Sequence, residues 1–278
     1  MPQFDTPEPI SVTLDFEVGS ARIAATDRAD TVVEVLPDDG AADADVRAAQ
    51  QTQVSYTRGR LLVKGPRKRS LFGRSGSISV IIEVPEGSSV HAKGAVADLT
   101  AEGRLGECRL HTSVGDVRVT EADETNVRTG LGDVAVDRAT GEVVITGAGR
   151  VDTGELRGNA TIKNLNGETV VGEVWGDLKV NSSNGRITVG VAHARVDARS
   201  AQGRIRIGSV RGGPVDLQTS AGDLEIGIPE PIAAWLDVNS RFGKVRNSLG
   251  PAEGPSGSDG TVEVRARTSL GDVVIRRS

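Results

Sequence analysis

Residues 112–119 read TSVGDVRV, and near copies return as TGLGDVAV at 129–136, SNGRITV at 183–189, AQGRIRI at 201–207, SAGDLEI at 220–226 and TSLGDVVI at 268–275. Each copy carries a Gly, then a charged residue, then alternating apolar positions. Anchoring on that Gly gives Gly115, Gly132, Gly149, Gly167, Gly185, Gly203, Gly222, Gly243 and Gly271. The spacings are 17, 17, 18, 18, 18, 19, 21 and 28 residues, and the longest contains GPAEGPSGSDG. A fixed period of this length is the signature of a repeat architecture.

The aligned units show what each position requires. Three residues before the anchor stand Thr112, Thr129, Thr146, Asn164, Ser182, Ser200, Thr219, Ser240 and Thr268, all small and hydrogen-bonding. Five before it every residue is apolar, from Leu110 and Val127 through Val144 and Ile162 to Val238 and Ala266. Two after it come mostly Val, Ile and Leu, beginning with Val117, Val134 and Val151. Alternation on both sides of a Gly is the period of a β-strand. Further glycines, Gly154, Gly172, Gly190, Gly208 and Gly227, then Gly141, Gly158, Gly176 and Gly212, mark additional corners, because Gly tolerates the positive φ of a sharp turn.

The pattern predicts an all-β fold, a single elongated parallel β-solenoid (β-helix) with about 17–19 residues per coil. Nine coils at the ~4.8 Å strand spacing span on the order of 40 Å. Each coil buries its Val and Ile only against its neighbours, and the Thr/Ser/Asn column forms a hydrogen-bonding ladder. Residues 1–88 read as divergent first coils, with a short helix near 42–51 and a basic loop at 64–77. Residues 89–278 read as the regular repeats, with a loop insertion near 250–260, in one continuous domain. Arg276 and Arg277 place charge on the last strand and blunt an edge. Trp235 and Phe242, where the spacing stretches, read as a plug for the widening coil, set against a contact patch.

Composition agrees with a thin core. Aromatic residues make up only 3% of 278, while Gly numbers 35, so aliphatic side chains must fill the interior. The net charge of −5 gives no bulk affinity for nucleic acid. The lone Cys108 rules out an internal disulfide. The opening residues MPQFDTPEPI lack a basic segment followed by an apolar run, and no membrane-spanning stretch occurs. The expectation from these features is a cytoplasmic protein, with envelope association left open.

Repeated GDV units, VIIEVPEGSSVHA at 80–92 and the basic lead-in RSLFGRSGS at 69–77 resemble the bacterial family of β-strand-repeat adhesin-like domains of unknown function. The resemblance runs from about Ile10 to Ile275. It implies a parallel β-solenoid and association with the cell envelope, and it carries over no catalytic residues.

The column after the anchor, Asp116, Asp133, Arg150, Glu168, Arg186, Arg204, Asp223, Lys244 and Asp272, alternates in sign at six of its eight steps. It reads as a solvated, mutually compensating ladder. Asp116 and Asp133 are its one stacked acidic pair and head any list of polysaccharide-cleaving carboxylates. Tandem Gly-Gly-x-Gly-x-Asp calcium motifs are absent, and His91, His111 and His193 fall on separate coils without zinc-ligand spacing. No metal, cofactor or catalytic residue is expected. In the basic loop, Lys64, Arg67, Lys68, Arg69 and Arg74 surround Leu71 and Phe72. This composition suits an anionic partner such as a membrane surface or, less so, nucleic acid, set against a solvated structural insertion whose Leu-Phe folds back onto the first coils. The leading functional expectation is a non-enzymatic scaffold or binding module for a protein, glycan or envelope component. The alternatives are a self-assembling rod like the bactofilins and a carbohydrate-active β-helix enzyme.

Overall fold

The computed structural model describes residues 1–66, 76–250 and 260–278. The chain divides into two compact units, Met1–Arg138 and Ala139–Ser278. Among the described residues it is all-β with one helix, Asp43–Gln51, close to the expected position.

The second unit is the simpler. On one side of its coil the strands Val143–Gly147, Ala160–Asn166, Leu178–Asn184, Val196–Gln202 and Val215–Ala221 stack in parallel register. On the next side Val151–Leu156, Thr169–Val174, Ile187–Ala192, Ile205–Val210 and Leu224–Ile228 do the same. Like columns therefore lie above one another, as Ile162 on Val180 and Ile187 on Ile205. The inward column of Ile162, Val180, Ala198 and Leu217 is fully buried, and no aromatic ring shares it. Such a core stays dense because each aliphatic side chain meets its own kind one rung away.

Gly185 shows why the anchor position takes Gly. Gly185 has φ +137°, and a Cβ there would fall under 3.0 Å from the Gly167 carbonyl oxygen of the rung before. Any side chain would push the rungs apart. The expected ladder is present too. Thr129, Asn164, Thr219 and Thr268 donate to the carbonyl oxygens of Gly115, Gly149, Gly203 and Gly222 at 2.9–3.1 Å.

Four expectations are corrected. The last coil in the sequence is not the last in space: Thr261–Leu270 pairs with Val215–Ala221 on one edge and with Ala233–Phe242 on the other. Likewise Val273–Arg277 lies between Leu224–Ile228 and Val245–Asn247. The C-terminus is thus tucked one rung inside, where pairing on both edges holds it. The long Gly243-to-Gly271 spacing is what lets the chain step back. Arg276 and Arg277 therefore blunt no edge. Arg276 pairs with Glu225 at 3.0 Å, and Arg277 donates to the carbonyls of Pro229 and Ile232.

Trp235 and Phe242 plug nothing, being 74% and 63% exposed on the outermost rung. At the Gly149 coil the column slips by one. Ile145, not Val144, stacks on Ile162, and Gly147, not Thr146, stacks on Asn164. The corner before Gly149 is one residue short, so Thr146 faces out. Finally, the insertion near 250–260 falls largely outside the described residues.

The first unit carries the divergent coils. Ser11–Asp15 lies between Arg60–Lys64 and residues 89–93, all parallel. Val18–Thr26 lies between Ile78–Pro85 and residues 96–102. The N-terminal coil is therefore tucked in by one rung, as the C-terminal coil is in its own unit. Antiparallel strands flank this stack: Gln53–Thr57 on Arg60–Lys64, and Asp30–Pro37 on Ile78–Pro85, with Gln3–Asp5 beyond. Such short antiparallel strands cover a sheet end. The 26-residue strand Ser89–Val114 and the strand Val117–Leu131 stack next, with an irregularity between Ala101 and Arg104.

Candidate functional site: a basic groove

Outward-facing residues of the first unit's stacked rungs form two columns. Thr13, His91, Arg109 and Asn126 line one, and Asp15, Lys93, His111 and Arg128 the other. Register fixes the neighbours: Thr13 beside His91 and Asp15 beside Lys93, then Arg109 beside Asn126 and His111 beside Arg128. Strand alternation explains the placement, since the intervening Leu14, Ala92 and Leu110 point inward and are buried. The result is an open groove of about 630 Å³.

Three cations and two imidazoles meet one carboxylate along its walls, against the chain's net charge of −5. His91 Nε2 sits 3.1 Å from Glu107 Oε2, and Arg109 forms an ion pair with Glu107. Lys93, Arg109, His111 and Arg128 are exposed. Lys64, the one basic-loop residue within the described part, ends the strand Arg60–Lys64 beside Asp15, on the rung next to the groove. Arg67, Lys68, Arg69, Leu71, Phe72 and Arg74 lie outside the described residues.

The groove is not legible from the inward columns, because its residues all point outward. The signal was available four residues before each anchor, where Asp15, Lys93, His111 and Arg128 recur relative to Gly19, Ala97, Gly115 and Gly132. His91 and His111, on separate rungs as expected, converge on one surface. Among the described residues no group of three His, Cys, Asp or Glu side chains is placed to hold a metal ion.

The stacked acids serve the backbone. Asp98 Oδ1 accepts the Asp116 N–H at 2.9 Å, and Asp116 Oδ1 accepts the Asp133 N–H at 2.8 Å. Asp223 Oδ1 accepts the Asp272 N–H at 3.0 Å, and Asp272 Oδ1 the Lys244 N–H at 2.9 Å. Asp116 and Asp133 are therefore not the one acidic pair: Asp98 extends them, and Asp223 neighbours Asp272. Elsewhere the ladder compensates as expected, with Arg204 on Asp223 at 2.6 Å and Glu168 between Arg150 and Arg186. The backbone N–H of Asp272, and then Arg204, hold the Asp223 carboxyl below its usual range.

Cys108, inward between Glu107 and Arg109, is fully buried. Burial first, then the Glu107 charge, pushes its thiol up to about 12, so it offers no thiolate near neutrality. In the second unit Trp175 stacks on His193 with centroids 3.8 Å apart, and His193 Nε2 lies 2.7 Å from Glu173 Oε1. Among the described residues no helix is long and apolar enough to cross a membrane.

Comparison with known proteins adds the lineage. No curated protein matches the chain at a meaningful level. A crystal structure described as a "putative cell adhesion protein" from Clostridium sporogenes aligns over 100% of this chain and 98% of that one. The identity is 14% and the TM-score 0.27, a superposition too loose to transfer fold or function. The family model described as Toastrack DUF4097 matches residues 11–276, nearly the whole sequence. The chain, with its stacked Gly-anchored coils, belongs to the Toastrack DUF4097 family.

Proposed function

We propose that the protein is a non-enzymatic binding module and that the basic groove of its first unit takes an anionic polymer, such as an acidic glycan of the cell envelope. The observation that carries this reading is the row Lys93–His111–Arg128, repeated at rung spacing beside Arg109 on an open surface. A repeating line of basic side chains complements a chain with repeating negative groups better than it does a compact metabolite, which is usually enclosed on most sides. The surrounding chemistry agrees: Cys108 is held as a thiol, and the stacked aspartates are occupied by backbone N–H groups.

Calorimetric titration of the full chain with dextran sulfate and with neutral dextran tests this. Dextran sulfate is expected to bind, with affinity falling steeply as salt rises, and neutral dextran is not. The pair Lys93→Glu and Arg128→Glu, both exposed, removes binding while leaving the thermal midpoint near its original value. Unchanged binding in that double variant would place the anion elsewhere and defeat the reading.

A further inference from the structure

The tucked C-terminus leaves Ala233–Phe242 as the outermost strand of the second unit. Its inner edge is occupied by Thr261–Leu270. Among the described residues nothing pairs with its outer edge. The Ala233 N–H donates inward, to the Gly260 carbonyl, so by strand alternation the N–H and C=O groups of Ala234, Leu236 and Val238 face outward. Their side chains occupy the core columns yet are only half-buried, whereas their neighbours one rung in, Val264 and Ala266, are fully buried. On the adjoining side Val245 is 45% exposed above a fully buried Val273. At ten residues the strand is longer than most, and it carries neither Pro nor Lys, two common means of blunting an edge.

We infer that this edge is the seat of a second copy of the chain, joined antiparallel about a two-fold axis at Asn239. Charge decides the register. With Asn239 opposite itself, Asp237 of each copy, which Arg267 of its own chain holds at 3.0 Å, faces Arg241 of the other, and Val238 faces Ser240. Centring one residue earlier loses the ion pairs, and centring on Asp237 opposes two like charges. The chosen register also makes Val238 and Ser240 a hydrogen-bonded pair through outward-facing backbone groups, with Asn239 in a close non-hydrogen-bonded pair on the axis. The core columns of Leu236 and Val238 then continue into those of the second copy. Because the same strand serves both copies, the assembly closes at two and does not propagate.

Light scattering of the full chain across a dilution series, combined with disulfide trapping, tests the inference. The expected result is a dimer in which Asn239→Cys cross-links on mild oxidation and Asp237→Cys does not. The first pair of Cα atoms lies within disulfide reach, and the second is offset by four residues along the strands, roughly 13 Å. Arg241→Asp, at an exposed position, weakens the dimer by about tenfold or more by opposing two acids twice. Amides of Val238 and Ser240 gain hydrogen-exchange protection as the dimer forms. A monomer at every concentration, species growing beyond two, or equal cross-linking through both cysteine variants would overturn it.

Discussion

Ser240 Oγ donates to the Gly271 carbonyl oxygen at 2.7 Å, reaching a residue 31 positions later in the chain. Thr268, Thr219, Asn164 and Thr129 reach back instead, to the anchors of the preceding rung, Gly222, Gly203, Gly149 and Gly115. The one reversal marks where the chain steps back to insert its last coil. The same order is written in the aspartates, with Asp272 accepting from Lys244 and Asp223 from Asp272. Two independent columns thus agree on a rung order that differs from the sequence order.

The glycine columns separate a backbone requirement from a steric one. Gly185 and Gly59 both have positive φ, but a Cβ at Gly59 meets nothing within 4 Å while at Gly185 it meets the Gly167 backbone. Gly185→Ala is expected to destabilise by about 2–4 kcal/mol, conformational strain plus overpacking. Gly59→Ala should cost only about 1 kcal/mol, the strain alone. Urea unfolding of the two variants measures the difference.

Within the hydroxyl ladder, rungs are unequal. The buried Thr219 Oγ1 donates to Gly203 at 3.1 Å, whereas Ser182 Oγ and Ser200 Oγ are buried without a hydrogen-bond partner. Thr219→Val therefore costs about 1 kcal/mol for the lost bond. Ser182→Ala and Ser200→Ala should be close to neutral or slightly stabilising, since each removes an unsatisfied hydroxyl. Denaturant midpoints rank the three.

Acid sensitivity has a named contributor. The folded Asp223 carboxyl is held below its ordinary value of 3.8, first by the Asp272 N–H and then by Arg204. A depressed folded value means the stabilisation is present above about 3.8 and is lost as pH falls through the lower folded value. Asp223→Asn keeps an oxygen for the N–H but loses the charge facing Arg204. Its stability is expected to fall modestly at neutral pH and to decline less below pH 4 than that of the unaltered chain, as read by thermal scans across pH.

Cys108 reports on opening of the first unit. Buried among aliphatic neighbours with its thiol raised to about 12, it should resist a thiol reagent at pH 8 in the native protein. In urea it should react at the rate of a model peptide. Rapid labelling without denaturant would contradict its placement.

The repeat was legible because a solenoid stacks like on like. The recurring Gly and its flanking Thr and Val are the same physical requirement met nine times. Val144 and Thr146 were misplaced because a corner one residue short shifts a strand without altering the spelling of the repeat; only the stacking partner, Asn164, reveals the slip. The tucked last coil left a trace, the 28-residue spacing, yet length alone does not tell a loop that bulges from one that returns. Trp235 and Phe242 read as a plug because large apolar residues normally seek burial, but both stand in outward columns, beside the exposed Glu263 and Leu270 of the next rung. The convergence of His91, Lys93, Arg109 and Arg128 is not legible for a different reason: outward columns face water, so no packing constraint imposes a shared residue type on them.

Rung order is most directly tested by disulfide trapping within one chain. Asp216 neighbours Arg265, and Arg265 neighbours Asp237, in parallel register, so Asp216 and Asp237 are two rungs apart, about 9–10 Å at the usual strand spacing. Cysteines at 216 and 265 should close rapidly on oxidation, and cysteines at 216 and 237 should not, because the latter exceed disulfide reach. Ready closure of the 216–237 pair, with 216–265 remaining open, would show the coils stacking in sequence order and contradict the tucked C-terminus.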